Sequence, residues 1–282
     1  MSISVTWILN NTEQPEEGYL PLNKFEEIIM SNQFDNEPEN VSASITGMVT
    51  EFLTESIMMK NIPDKKDIIS GANKLNNHNY YLSSLDNNKY NHKIRANKII
   101  KYFEPNLTKA SIKDALILMG YKKVNYLSDN FSQLSLNNIS ALNGQLSDSD
   151  SNIIIQYVQN SIDFLNKNKQ TILNSGIEIS ITQKNKLRSK YESKIEGVID
   201  FITNDTLWDM KVRSTEPTKE DTLQILLYYI IIKLTNDQRF NNIKYLGLIN
   251  PKIGKAYRIR IENIDNLLLW VIPKFVLKLI NK

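Results

Sequence analysis

The chain has 282 residues, 41% hydrophobic and 23% charged, and its 34 basic and 31 acidic side chains leave a formal net charge of +3. That composition builds one large domain or two modest ones, and the charge permits an anionic partner such as nucleic acid without requiring one. No cysteine is present, which removes disulfides, thiolate catalysis, iron–sulfur clusters and cysteine-held zinc; with His78 and His92 as the only histidines, any chemistry has to run on carboxylates and lysine.

The opening residues, MSISVTWILNNTEQPEEGYL, lack the basic start and small-residue cleavage site of a signal peptide, and the cytoplasm is the expected location. Residues 36–61 offer Ser42 or Ser44 as a cap and then run apolar at Ile45, Val49, Phe52, Leu53 and Ile57, which is helical spacing. Residues 65–93 are rich in Asn, Asp and Lys and read as a long loop. Two helical patterns follow, over 107–121 and 150–176, separated by the Ser/Asn-rich, loop-like stretch 127–149. Residues 1–150 thus read as a mainly helical N-terminal region and 151–282 as a second domain.

From Gly176 the apolar period changes to alternation, giving strands over 176–183, 194–203 and 207–213, with a turn at Asn204-Asp205. Thr218 can cap the next helix, Glu220 and Asp221 favour its first turn, and it runs to about Thr235. Strands over 243–250 and 255–262 precede a C-terminal helix. Three strands, a helix and two strands make an α/β core with a helix crossover. The apolar runs 223–234 and 267–280 fall short of the roughly 18 residues of a spanning helix, so no membrane partner is expected.

The stretch GVIDFITNDTLWDMKVR, residues 197–213, carries the charges of interest. Side chains of a strand alternate, so Leu207, Asp209 and Lys211 share one side while Trp208, Met210 and Val212 share the other. If the two strands pair through their turn, Asp200 and Asp209 face each other near its mouth. Facing carboxylates repel unless a cation sits between them, and carboxylate oxygens are natural Mg²⁺ ligands. A lysine beside them orients or deprotonates a water held by the metal and offsets charge on a phosphate under attack. Taken alone, Asp-Met-Lys also fits the ion pair of an ordinary surface hairpin. The following helix adds Gln224 and Tyr228, spaced i and i+4 on one face of an otherwise apolar segment.

With GVID (197–200), DMK (209–211) and QILLY (224–228) in this order, the sequence resembles the PD-(D/E)XK nuclease superfamily, and more narrowly its RecB-like, lambda-exonuclease-like branch. The resemblance covers residues 176–262 and implies a restriction-endonuclease-like core, a central mixed β-sheet flanked by helices. It implies Mg²⁺ or Mn²⁺ held by Asp200, Asp209 and the backbone carbonyl of Met210, with Lys211 activating water and Gln224 and Tyr228 contacting the substrate phosphate or its end. The family takes a further acid from an earlier helix. Gly47-xxx-Glu51 supplies one on a helix over about 42–60, which would make the region between an insertion; Asp163 is the rival. DNA is the implied substrate, with an RNase or a noncatalytic DNA-binding scaffold as alternatives. No Walker-type loop is present, so any helicase or ATPase would be a separate partner; a homo-oligomer is a further expectation. The usual settings of such chains are phage defence, restriction and recombination or repair.

The remaining charges are read as solvated. Glu178 and Glu196 sit on core strands and face solvent; the two histidines are surface residues or phosphate contacts. The basic run 184–194, with Tyr191, and the run 250–260 are solvated faces or a nucleic-acid path.

Overall fold

The computed structural model describes residues 2–31, 34, 36–82, 91–126, 146–184 and 192–280. Two compact units are present: Met1–Gln33 together with Leu165–Lys282, and Phe34–Phe164. The first 33 residues, grouped by the sequence reading with the helical region, fold with the C-terminal half.

In chain order the elements are β1 (Ser2–Ser4), α1 (Val5–Asn10), β2 (Glu26–Ile29), α2 (Ala43–Met59), α3 (Lys65–Leu82), α4 (His92–Tyr102), α5 (Lys109–Asn125) and α6 (Asp148–Lys167). Then come β3 (Asn174–Lys184), β4 (Glu192–Ile202), β5 (Thr206–Met210), α7 (Lys219–Thr235), β6 (Tyr245–Asn250), β7 (Lys255–Arg260) and α8 (Asn266–Ile280). Among the described residues this is an α/β protein with one mixed, open sheet of seven strands, all in the first unit.

The sheet runs β4, β5, β6, β7, β2, with β3 along one side of β4 and β1 against its first residues. β5 and β6 are parallel, as the intervening helix α7 requires, and the other neighbours are antiparallel apart from β1 on β4. One face is covered by α1, α7 and α8, whose apolar side chains share a core with Ile195, Ile199, Leu207, Leu246 and Leu248. α7 is buried nearly all round from Leu223 to Ile232, which explains why its sequence is apolar on every side rather than striped. Thr218 and Asp221 close its N-terminus, where the Thr218 N–H donates to Asp221 Oδ2 at 2.6 Å. Asn236, in the left-handed region, ends it.

The second unit is helical. Ser42 caps α2, its hydroxyl accepting from the Ile45 N–H. α5 is its central helix, with Ile112, Leu116, Met119, Tyr121 and Val124 all buried. α3 crosses α5 at Gly71 so closely that a Cβ there would lie 1.8 Å from the Tyr121 carbonyl oxygen.

Several expectations are corrected. Residues 65–93 are not one long loop, since α3 and the start of α4 lie there; Ile68, Ala72 and Leu75, all buried, supply a helical stripe that the Asn-rich composition conceals. The helix expected to run to 176 stops at Lys167, because Lys169 turns left-handed (φ 54°) and Asn174 already belongs to β3. β5 ends at Met210 rather than at 213: the Lys211 N–H still donates to the Ile249 carbonyl at 2.8 Å, but at Arg213 the Asn250 side chain takes over the backbone bonds. β1, α1 and β2 were not foreseen. The loop expected over 127–149 lies, up to residue 145, outside the described residues, as does the part of the basic run from 185 to 191, Tyr191 included.

Candidate active site

The β4–β5 hairpin pairs Phe201 with Trp208 and Ile202 with Leu207. Asp200 and Asp209 come next beyond the Phe201–Trp208 pair on the two strands. Like charges directly opposed destabilise a ladder, and here the pairing ends. Asp200 Oδ2 instead accepts the Met210 N–H at 2.6 Å, so the first aspartate is held by the backbone of the residue between Asp209 and Lys211. Asp209 pairs in register with Leu248 on β6, on the sheet face that α7 covers, and is 1% exposed.

Lys211 supplies the cation. Its Nζ lies 2.7 Å from Asp209 Oδ2 and 3.9 Å from Asp221 Oδ1, and donates to Gln224 Oε1 at 3.1 Å. Gln224 Nε2 in turn donates to the Tyr228 hydroxyl at 2.6 Å. β4, β5 and α7 thus bring Asp200, Asp209, Lys211, Gln224 and Tyr228 into one cluster, and Met210 joins it through its N–H.

Burial raises the Asp209 carboxyl above the usual carboxylate range, with Lys211 and Arg213 pulling against it. Burial also works against the Lys211 ammonium, but Asp209, Asp200 and Asp221 outweigh it and lift its pKa above the ordinary lysine value. Tyr228 is likewise raised, by burial first and then by the negative charge of Asp209 and Asp200, so its hydroxyl stays protonated at neutral pH.

Three supporting residues escaped the sequence reading. Asp221, read there as a helix-start acid, also ion-pairs with the Arg213 guanidinium and faces Lys211. Asn250, fully buried at the end of β6, donates from Nδ2 to the carbonyls of Arg213 (2.9 Å) and Thr215 (3.1 Å), pinning the loop that follows Lys211. Lys252, buried in the β6–β7 turn, donates to the Ser214 hydroxyl at 2.9 Å. The signal for Asn250 was its place in Asn-Pro at the end of a buried strand, where an unpaired amide needs partners.

Glu51 and Asp163 belong to the helical unit. Glu51 lies half-buried on α2, and its charge helps to raise the pKa of Lys122 on α5. Asp163 is exposed on α6 and accepts from Gln159 Nε2 at 2.7 Å. Glu178 is exposed, and Glu196 pairs with Lys194 across 2.7 Å at the surface. His92 is not a surface residue: it is half-buried, its Nδ1 lies 3.3 Å from the Tyr121 hydroxyl, and burial and Arg95 lower its pKa. The side chain of His78 lies outside the described residues.

The donor set in the sheet unit fits a small hard cation. Mg²⁺ takes one or two carboxylates from a protein and fills its other positions with water and phosphate oxygens. Asp200 and Asp209 are such a pair. Among the described residues no group of three or more His, Asp or Glu side chains is arranged to hold a metal ion. Comparison of the chain with protein-family models, curated proteins and solved structures gave no match. No helix among the described residues is long and apolar enough to cross a membrane.

Proposed function

We propose that the chain is a divalent-metal-dependent deoxyribonuclease with a PD-(D/E)XK active site on a restriction-endonuclease-like core. The observation that carries this reading is the convergence of Asp200, Asp209 and Lys211, from two strands, with Gln224 and Tyr228 of the crossover helix. A strand–turn–strand–helix–strand order in a mixed sheet supports the core assignment.

Asp200 and Asp209 would hold Mg²⁺ or Mn²⁺. When bound, the ion supplies a nucleophilic water at neutral pH and Lewis acidity toward the phosphate. Asp200, fixed on the Met210 N–H, keeps its second oxygen in a defined direction. Lys211, its ammonium held beside Asp209, would offset the charge that grows on the phosphate as the water oxygen attacks phosphorus and the P–O bond to the leaving oxygen breaks. A phosphodiester is the substrate class that the resemblance implies, and the pairing of cation and carboxylates supports it. Phage defence, restriction or recombination is the setting that the resemblance to such nucleases supports.

The test is cleavage of linear and circular DNA by the purified chain with Mg²⁺ or Mn²⁺, beside RNA of the same sequence. Cleavage that stops with chelator and is lost in Asp209→Asn is the expected result. Undiminished cleavage by Asp209→Asn would sink the assignment.

A further inference from the structure

The Gln-xxx-Tyr pair of such a site is expected to touch substrate, yet Tyr228 is buried and Gln224, half-buried, turns both ends of its amide to protein partners. Tyr228 is 5% exposed, and the Cδ1–Cε1 edge of its ring packs against β4 at Gly197. A Cβ at that glycine would come 2.7 Å from Tyr228 Cε1 and 3.1 Å from Val5 Cγ2 of α1, so the ring fits only because the strand carries no side chain there. Its hydroxyl oxygen accepts from Gln224 Nε2 at 2.6 Å. The Gln224 amide has its orientation imposed by chemistry: an ammonium only donates, so the carbonyl oxygen must face Lys211, and the NH₂ is left for the Tyr228 hydroxyl.

We propose that Gly197, Tyr228 and Gln224 form a positioning relay that aims the Lys211 ammonium, and that Gln224 and Tyr228 are not the residues that bind DNA. An ion pair to Asp209 alone leaves Nζ free to swing about that carboxylate. The neutral acceptor Oε1, fixed by Tyr228, supplies the second direction that sets where the ammonium points. Gly197 is the positioning residue at the far end, since it sets how deep the Tyr228 ring can sit. The kinetic consequence rests on the nuclease reading; the geometry of the relay does not.

Three measurements on the full-length chain test it, using Tyr228→Phe, Gly197→Ala, Gln224→Leu and Gln224→Glu. They are duplex-oligonucleotide affinity in EDTA, single-turnover cleavage with Mg²⁺, and the ¹⁵N resonance of the Lys211 ammonium, assigned with Lys211→Arg. Tyr228→Phe, Gly197→Ala and Gln224→Leu should each slow cleavage by about 10–100-fold, the usual effect of losing an outer-shell partner, with Kd for DNA unchanged. In the same three variants the Lys211 resonance should shift or broaden, and in Gln224→Glu, which keeps the acceptor, it should persist. Tyr228→Phe changes the shape least and carries the test if Gly197→Ala does not fold. A raised Kd with an unchanged Lys211 resonance in Tyr228→Phe and Gln224→Leu overturns the relay and makes the pair a substrate contact. If the wild-type chain cleaves nothing, the nuclease reading fails, and the Lys211 resonance alone still decides the relay.

Discussion

Each unit of the chain contains a buried lysine–carboxylate pair, and the two pairs differ in what surrounds them. In the helical unit Lys122 Nζ lies 2.6 Å from Asp64 Oδ2, both side chains about a tenth exposed. Asp64 is in the left-handed region (φ 57°) just before α3, and the neighbouring Asp67 accepts from Asn125 and Tyr126. These bonds fasten the start of α3 to the end of α5. In the sheet unit Asp209 lies on a face where its strand neighbours are Leu207, Leu246 and Leu248, a place that packing alone would fill with another apolar side chain. A buried ion pair is therefore no sign of a site by itself. What distinguishes Lys211 is that its partner Asp209 sits on the apolar face of the sheet, where packing alone would place no charge.

Breaking the structural pair should have the largest effect. Burial opposes the Lys122 charge, but Glu51 and Asp64 raise its pKa, so Lys122→Met would strand two carboxylates in the helical unit. Chemical denaturation should show a loss of about 3–5 kcal/mol. Double changes compare the pairs on equal terms: Asp209→Leu with Lys211→Met should leave the unfolding free energy unchanged or raise it by about 1–4 kcal/mol, while abolishing cleavage, and Asp64→Leu with Lys122→Met should still lose stability. A sheet double variant as destabilised as the helical one would erase the distinction between the two pairs.

A smaller effect, visible in its pH dependence, belongs to Asp150 at the start of α6. Burial pushes its carboxyl up, but hydrogen bonds from Asn40, the Glu39 N–H and Ser147 outweigh it, and the net shift is downward. A depressed folded pKa gives stability that is present above the unfolded value near 3.9 and lost as pH falls through the folded one. Asp150→Ala should cost about 1 kcal/mol at pH 7 in urea unfolding, and the difference from wild type should shrink below pH 4.

The elements that the sequence disclosed were those whose signals are local. Ser42 before an apolar stripe, Thr218 with Asp221 three residues on, and the alternation through β4 and β5 each mark a boundary within one turn or one strand. Strand parity carried over to space for Asp209 and Lys211, whose side chains meet at 2.7 Å. The elements that it hid were nonlocal. β2 pairs with β7, more than two hundred residues away, and nothing in Glu26–Ile29 announces that partner. The same holds for Asp221 and Asn250: each looks like a cap or a strand end until the loop after Lys211 folds back onto it.

The central claim, that Asp200 and Asp209 hold a divalent cation beside Lys211, is tested most directly by calorimetric titration of Mn²⁺ into the chain without nucleic acid. One ion per chain, bound by the wild type and lost in both Asp200→Asn and Asp209→Asn, is the predicted result. No binding to the wild type, or undiminished binding by Asp209→Asn, would contradict it.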